Sequence, residues 1–166
     1  IKTLVGGLIW PCPTPDHPGT PILHRETFAT PDGLGRFTPV EYQPPKELPD
    51  DEYPLLLTTG RVVMHYNAGT MTRRSTSLLK RNPELFIEIN PVDAQKLGIT
   101  LDEEVTVITR RGNVTASASI SQNTPAGTVF MPFHFPGVNL LTVDTLDEKA
   151  KIPELKVAAC KIIKRG

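Results

Sequence analysis

The chain has 166 residues, with 18 Lys or Arg and 18 Asp or Glu, so its formal net charge is zero. That length can bury a hydrophobic core without disulfide crosslinks. The charge balance argues against a general binder of nucleic acid or membrane surfaces, which would carry a basic excess.

The cysteine spacing and the hydropathy of the chain argue against two further classes of protein, those with a cysteine metal site and those that span a membrane. Cys12 and Cys160 are far apart and form no CxxC pair, so the sequence has no zinc or iron–sulfur motif, and free thiols are favoured over a disulfide. No apolar run reaches the roughly 20 residues that span a bilayer, and residues 1–10 do not resemble a signal peptide. We expect a cytoplasmic protein without a membrane span. Because the chain begins with Ile, we also expect it to be a piece of a larger protein.

Residues 1–50 hold ten of the 17 prolines and are predicted to form an extended, irregular arm that lies over another surface, either of this chain or of a part outside it. Pro31-Asp32-Gly33 predicts a turn, and residues 44–51 are interpreted as a linker. The compact domain is predicted to cover residues 51–166.

Within that domain the apolar patterns predict strands and short helices in chain order. The clearest signal is a helix capped by Asn90, with Pro91 in its first turn and Gly98 at its end. The predicted strands cover residues 55–59, 86–89, 104–109, 114–121, 128–131 and 156–163, and the predicted helices residues 75–80 and 91–97. This succession of short strands favours a mainly β fold, a small barrel with inserted helices.

In two strands, the alternation of apolar and polar residues predicts which side faces the core. In residues 114–121, Val114, Ala116, Ala118 and Ile120 are predicted to face the core. In the last strand Val157, Ala159 and Ile162 are predicted to do so. Arg111-Gly112-Asn113 is predicted to be a turn. The cationic clusters Arg110-Arg111 and Lys161 with Lys164-Arg165, and the acidic runs at residues 50–52 and 102–104, are predicted to be solvated.

The apolar strand at residues 55–59 leads into the candidate ligand site. Gly60 lets a backbone approach a ligand closely, and Arg61 can form charge-assisted hydrogen bonds to phosphate. Thr59 and the Thr70-Met71-Thr72 block add hydroxyls. The pattern is not a Walker A motif. The alternative interpretation is an ordinary turn with an exposed arginine.

Two histidines remain open between structural and functional roles. His65 is either a ligand contact or a hydrogen-bonded structural residue. His134 lies in a proline-aromatic loop that is either simply packed or one wall of a ligand site, followed by the amide of Asn139. No histidine has metal-ligand spacing, and no nucleophile–base arrangement is evident. We therefore expect no catalytic residue and no metal ligand in this chain.

Several ordered blocks together resemble one family. These blocks are Trp10-Pro11-Cys12-Pro13, residues 16–21, Glu52-Tyr53-Pro54, residues 57–61, residues 70–74, Glu88-Ile89-Asn90-Pro91 with Asp93-Ala94, Arg110-Arg111-Gly112 and residues 129–134. In this order they are similar to the C-terminal part of the catalytic subunit of molybdenum- or tungsten-dependent formate dehydrogenases, in the dimethyl sulfoxide reductase superfamily.

The resemblance implies a six-stranded double-psi β-barrel that closes over a bis(molybdopterin guanine dinucleotide) cofactor carrying Mo or W. It implies cofactor contacts from eight residues: Thr59, Gly60, Arg61, His65, Met71, Thr72, Asn139 and Lys156. One position departs from the pattern, since Asn67-Ala68 stand where His-Thr is usual.

The metal ligand, the iron–sulfur cluster and the catalytic groups of that family belong to other domains, so the isolated domain is expected to be inactive. Its implied partners are the remaining domains of the catalytic subunit and the electron-transfer subunits. The alternatives are the equivalent domain of a nitrate reductase or a formylmethanofuran dehydrogenase, or a non-enzymatic double-psi barrel that acts as an interaction module.

Overall fold

A computed structural model of the chain describes residues 7–165, so the first six residues of the predicted arm lie outside it. The chain divides into two units, Ile1–Gln43 and Pro44–Gly166. Residues 44–50, which the sequence assigns to the arm, are thus part of the second unit.

The described part of the first unit contains neither helix nor strand. Short backbone contacts hold it locally: Thr20 donates from its backbone N–H to the carbonyl of Ile9 over 2.8 Å, and its hydroxyl donates to the carbonyl of Pro11 over 2.6 Å. The turn at residues 31–33 is confirmed, because Gly33 N–H donates to Thr30 O over 3.0 Å and Gly33 has a φ of 71°. Several large apolar side chains of this unit are exposed, among them Trp10, Phe37 and Tyr42.

The second unit contains six strands that close into a barrel. They are β1 (Leu55–Gly60), β2 (Phe86–Ile89), β3 (Glu104–Thr109), β4 (Gly112–Ile120), β5 (Thr128–Pro132) and β6 (Ala158–Lys164). Around the barrel the order is β1-β5-β2-β4-β3-β6. The predicted mainly β, six-stranded barrel is therefore confirmed, with strand bounds that differ from the sequence expectations by at most a few residues.

The ladders repeat in a two-fold pattern. β1 pairs in parallel with β5, as β4 does with β2, and the other neighbours pair antiparallel. Exchanging β1, β2 and β3 for β4, β5 and β6 maps every ladder onto another ladder or onto itself. Two interlocked parallel crossovers of this kind make the double-psi barrel that the resemblance implies.

The core lies inside the barrel and takes every second residue of each strand, as the period-2 side-chain geometry requires. The inward residues are fully or nearly fully buried, and they are Leu55, Leu57, Ile87, Ile89, Val105, Val107, Ala116, Ala118, Val129, Met131, Ala158, Cys160 and Ile162. Val114 and Ile120 pack against this cluster, so the predicted core face of β4 is confirmed.

Two features of the strands correct the sequence analysis. The β3–β4 hairpin turns at Arg110 and Arg111, because Thr109 pairs with Gly112, so Gly112 and Asn113 already belong to β4. In β6 the core face comprises Ala158, Cys160 and Ile162 rather than Val157, Ala159 and Ile162. The apolar residues of β6 occupy both faces, so alternation in sequence could not distinguish the inner face from the outer one.

Two short α-helices connect the strands, α1 (Thr76–Arg81) and α2 (Pro91–Leu97). Asn90 caps α2 by accepting a hydrogen bond from Val92 N–H over 2.9 Å, and Gly98 ends it with a left-handed φ of 66°. Asn90 Nδ2 also donates to Thr124 O over 2.8 Å, so the cap residue also ties the β4–β5 connection to α2. Of the helices that the structure describes, none is long and apolar enough to cross a bilayer.

Candidate functional site

The strand pairing brings three chain segments to one end of the barrel. β1 and β5 are parallel, so the residues after Gly60 and after Pro132 leave the barrel at the same edge. β6 runs antiparallel to β1, with Ala158 opposite Leu57, so the residues just before β6 lie beside the end of β1. The loop at residues 61–75, the loop at residues 133–137 and residues 155–157 therefore meet there.

Two cations and one aromatic ring lie together at this end. The guanidinium of Arg61 and the ammonium of Lys156 each lie 5.7 Å from the centroid of the Phe133 ring. Lys156 Nζ donates to the carbonyl of Thr59 over 2.6 Å, and the Thr59 hydroxyl donates to the carbonyl of Leu155 over 2.7 Å. Thr59 is buried while both cations are exposed, so Thr59 anchors the site and the cations face outward.

His65 is buried and both of its ring nitrogens have partners inside the protein. Nε2 lies 2.9 Å from the carbonyl of Asn82 and must donate to it, because a carbonyl oxygen can only accept. Nδ1 lies 3.1 Å from the Thr72 hydroxyl, which also accepts from Tyr66 N–H over 3.3 Å. Thr72 then donates to Nδ1. This closed network makes His65 a residue that shapes the loop at residues 61–75.

His134 joins the two loops. It is 1% exposed, and its Nε2 accepts a hydrogen bond from Val62 N–H over 2.9 Å. Its Nδ1 donates to the carbonyl of Asn67. The backbone carbonyl of His134 accepts from Arg73 Nη1 over 3.3 Å. The imidazole from the loop at residues 133–137 thus fixes two points of the loop at residues 61–75, and the backbone carbonyl of the same residue fixes a third.

Two glycines of the site are required by neighbouring atoms. Gly69 has a φ of 71°, and a Cβ there would lie 2.9 Å from the carbonyl oxygen of His134. A Cβ on Gly60 would lie 2.4 Å from Cε2 of Phe130. In the residues that the structure describes, Gly60 is therefore explained by an aromatic ring on β5, without a ligand.

Met71 and Asn139 are exposed and make fewer contacts with this cluster. Met71 is 77% exposed, in the loop that carries Thr72. Asn139 belongs to the 3₁₀ helix Val138–Leu141, after the loop that contains Phe133 and His134. The structure thus brings Thr59, Gly60, Arg61 and Lys156 together, joins buried His65 to Thr72, and leaves Met71 exposed in the loop at residues 61–75 and Asn139 exposed in the 3₁₀ helix.

The charge of this end is suited to an anion. Within the described residues, no carboxylate lies within 4.0 Å of Arg61, Arg73 or Arg74, whereas Arg110, Arg111 and Arg165 all have acidic partners. Arg61 Nη2 is hydrogen-bonded only to Asn67 Oδ1, at 3.3 Å. Exposed guanidinium groups without a protein counterion are available to phosphate oxygens.

Arg110 and Arg111 correct the prediction of a solvated cluster. Arg110 binds Glu47 and Asp50, and Arg111 Nη2 lies 2.6 Å from Glu47 Oε2. Burial opposes ionisation of Glu47, but hydrogen bonds from the two arginines outweigh it and hold its pKa below the ordinary value. The hydrogen bond from Tyr53 N–H and the charge of Arg110 likewise lower the pKa of Asp50.

The donor set fits a phosphate-bearing ligand better than a metal ion. Among residues 7–165 no group of three or more His, Cys, Asp or Glu side chains is placed to hold a metal. The arrangement supplies cations, amide and hydroxyl donors and an aromatic face, which can bind and orient a charged ligand. The sequence analysis did not single out Phe133, whose only signal was the proline-aromatic loop, and it left His134 open between a packed residue and a wall of the ligand site; the structure shows His134 buried between the two loops.

The chain is similar to known proteins over nearly its whole length. A family profile described as "Molydopterin dinucleotide binding domain" matches residues 55–159. The F420-dependent formate dehydrogenase 2 subunit alpha of Methanococcus maripaludis is 52% identical over 162 residues, which are 96% of this chain and 24% of the relative. The assimilatory nitrate reductase catalytic subunit of Bacillus subtilis is 42% identical over 163 residues, 95% of this chain and 23% of that protein.

Comparison with solved structures supports the same fold. Acetylene hydratase from Pelobacter acetylenicus superposes with a TM-score of 0.61 at 22% identity, over 69% of this chain and 19% of the hydratase. That similarity supports the fold alone. By the coverages given above, the chain spans about a quarter of the length of the curated relatives it matches.

Proposed function

This chain belongs to the molydopterin dinucleotide binding domain family, and we propose that it binds a bis(molybdopterin guanine dinucleotide) cofactor, carrying Mo or W, at the end of the barrel where β1 and β5 leave it. The single observation that supports this site most directly is the convergence of Arg61, Lys156 and Phe133 around the buried end of β1.

The cations and exposed donors would hold the cofactor. Arg61, free of any carboxylate within the described residues, would pair with a phosphate. Lys156, Met71 and Asn139 would face the ligand from the neighbouring loops, and Gly60 would leave the backbone accessible beside them. When bound, the cofactor supplies two-electron redox chemistry at its metal, while this chain binds it, orients it and excludes water.

His65 and Thr72 would act differently from the exposed residues. Both ring nitrogens of His65 are used inside the protein, and the Thr72 hydroxyl has partners on both sides. We therefore assign them to shaping the loop at residues 61–75, with any contact to the cofactor made by the backbone of that loop. A loop fixed before binding loses less entropy when the ligand arrives.

The reaction that we propose for the complete protein is the oxidation of formate to CO2 by a catalytic subunit of which this domain is one part. The higher identity to a formate dehydrogenase alpha subunit than to a nitrate reductase supports that choice. The remaining domains of the subunit and electron-transfer subunits would be its partners, in a cytoplasmic enzyme. Nitrate reduction is the second candidate, supported by the 42% identity to the B. subtilis protein.

The test is Arg61→Ala in the full-length enzyme, with metal, pterin and guanine nucleotide measured per mole of folded protein. We expect cofactor content to fall while the melting temperature stays close to that of the wild type. Arg36→Ala is the control, since Arg36 is exposed and pairs with Asp32 in the first unit. Unchanged cofactor content with a lowered melting temperature would contradict the proposal.

A further inference from the structure

Arg111 connects two parts of the barrel that are remote in sequence. Its Nη2 donates to Glu47 Oε2 over 2.6 Å, and its Nε and Nη2 donate to the carbonyl of Leu141 over 3.3 Å and 3.1 Å. One guanidinium thus holds a carboxylate before β1 and a backbone carbonyl after β5. Its side chain is 22% exposed, so water competes only weakly for these donors.

The carbonyl that Arg111 holds ends the 3₁₀ helix Val138–Leu141. Leu141 and Val138 are fully buried, and the helix begins after Gly137, which has a φ of 92° and where a Cβ would lie 3.0 Å from Cγ2 of Val114. Both ends of the turn are therefore fixed. The residues that it leaves exposed are Asn139 and Leu140.

The backbone of Asn139, which carries the exposed amide, is also held by local contacts. The carbonyl of Asn139 accepts from the Thr142 hydroxyl over 2.8 Å. A 3₁₀ helix of this length has little internal hydrogen bonding of its own. Its position therefore depends on contacts at its ends, of which the Arg111–Leu141 pair is the only one made by a charged side chain among the described residues.

Glu47 is held as firmly as Arg111. Its side chain is 10% exposed, and it accepts hydrogen bonds from Arg110 as well as Arg111. Arg110 also binds Asp50 and lies 4.5 Å from the centroid of the Tyr53 ring. The segment at residues 44–53 is thus attached to the β3–β4 hairpin, and through Arg111 to the turn that carries Asn139.

We propose that Glu47 and Arg111 are positioning residues that hold Asn139 in place to donate to the bound cofactor. This inference rests on the function proposed above, because it takes the contact between Asn139 and the cofactor from it. Glu47 touches no ligand in this arrangement and acts only through Arg111 and the Leu141 carbonyl.

The guanidinium is needed because it presents several donors in one plane. A lysine at residue 111 offers a single ammonium that cannot keep both the fork to Leu141 O and the pair with Glu47. A glutamine at residue 47 keeps the shape of the side chain but removes the charge that strengthens the Arg111 hydrogen bond. Both changes leave the exposed amide of Asn139 chemically intact and loosen its support.

The experiment is a double-mutant cycle in the full-length enzyme, using Glu47→Gln, Asn139→Ala and the two together. The readout is the rate at which pterin and guanine nucleotide leave the folded protein after dilution into cofactor-free buffer. We expect each single change to raise that rate roughly tenfold, the lower end of the range for outer-shell partners. The double variant should lose cofactor no faster than Asn139→Ala alone, because Glu47 acts through that amide.

Two further variants, measured beside the cycle, provide a parallel test and a control. Arg111→Lys should behave like Glu47→Gln. Glu104→Gln, which removes the charge from an exposed ion pair with Arg165, should leave the rate of cofactor loss unchanged.

Each contrary outcome has one meaning. If the effects of Glu47→Gln and Asn139→Ala multiply, Glu47 has only a general structural role and the inference is wrong. If Asn139→Ala has no effect, the inference is also wrong. If Arg61→Ala leaves cofactor content unchanged as well, the proposed function fails with it.

Discussion

The ring of His134 accepts a hydrogen bond at Nε2 from the backbone N–H of Val62, 2.9 Å away and 72 positions earlier in the sequence. With the donation from Nδ1 to the carbonyl of Asn67, it fixes the β1 loop from the β5 side. The shape of the cofactor site that we propose therefore depends on a histidine that does not face the site.

His134→Ala should destabilise the protein and loosen the site together. The change leaves the Val62 N–H and the Asn67 carbonyl without this partner and removes a buried ring, and we expect a loss of about 2–4 kcal/mol in the free energy of unfolding. Denaturant unfolding measures the loss, and the cofactor content of the folded fraction should fall. His24→Ala, at an exposed position of the first unit where the ring stacks on Phe28, should cost less than about 1 kcal/mol. Equal effects of the two variants would contradict this role.

Gly69→Ala should cost more than Gly98→Ala although both glycines have left-handed backbones, with φ of 71° and 66°. A Cβ at residue 98 meets no atom within 4 Å, so that variant measures the backbone strain alone, about 1 kcal/mol. At residue 69 the Cβ would also lie 2.9 Å from His134 O, which should add roughly 1–3 kcal/mol. Thermal unfolding of the two variants side by side gives the difference.

Gly60→Ala tests whether Gly60 serves the Phe130 ring or the ligand. The added methyl would collide with that ring, and we expect a loss of about 1–3 kcal/mol that Phe130→Leu in the same chain partly restores. Gly112→Ala, where a Cβ meets no atom within 4 Å, is the matched control in a strand. If Phe130→Leu restores stability while cofactor content stays low, Gly60 is also needed for close approach of the ligand.

Glu47→Gln should make the free energy of unfolding depend less on pH in the acid range. The arginines lower the pKa of Glu47 in the folded protein, so its ionised form stabilises the fold fully above its ordinary pKa of 4.5. That contribution disappears as the pH falls through the lowered pKa of the folded state. The difference in unfolding free energy between wild type and Glu47→Gln should therefore be largest above pH 4.5 and should narrow below it. A constant difference across that range would be the contrary result.

Cys160 should resist alkylation in the folded protein, whereas Cys12 reacts. Burial, followed by the charge of Glu47, raises the pKa of the Cys160 thiol from 9.0 to about 12. The difference, 12 minus 9, lowers the thiolate fraction near pH 8 about a thousandfold. Cys12 is only partly buried. Of these two thiols, mass spectrometry after brief iodoacetamide treatment should show label on Cys12 only, and in denaturant on both.

The sequence predicted the elements correctly where residues close together in the chain determine the local structure. The bounds of β2 and β3 and the capped helix α2 match the sequence expectations, because Asn90, Pro91 and Gly98 act within a few residues of themselves. The phase of β6 was wrong, since Ala158 and Ala159 are both buried and only the closed barrel decides which of them faces the core.

The sequence pointed to candidate site residues, but it did not show the long-range hydrogen bonds that hold their loops. Gly60 and Arg61 were visible in the sequence because a strand ends there in a cationic loop. The hydrogen bonds that Val62 donates to His134 and that Arg111 donates to Glu47 join residues 72 and 64 positions apart. No local pattern encodes such distant pairs, so a segment interpreted as a linker proved to be attached to the barrel.

The two-fold pattern of the ladders bears on how such a barrel can arise. The strands β1, β2 and β3 take places equivalent to those of β4, β5 and β6. Two copies of one half-length chain can therefore form every ladder as a homodimer. The β2–β5 and β3–β6 ladders would then lie on the two-fold axis that relates the copies. Fusion of such copies frees each half to diverge. In this chain the connection after β1 contains a long cationic loop, whereas its counterpart after β4 is a short turn tied to Asn90.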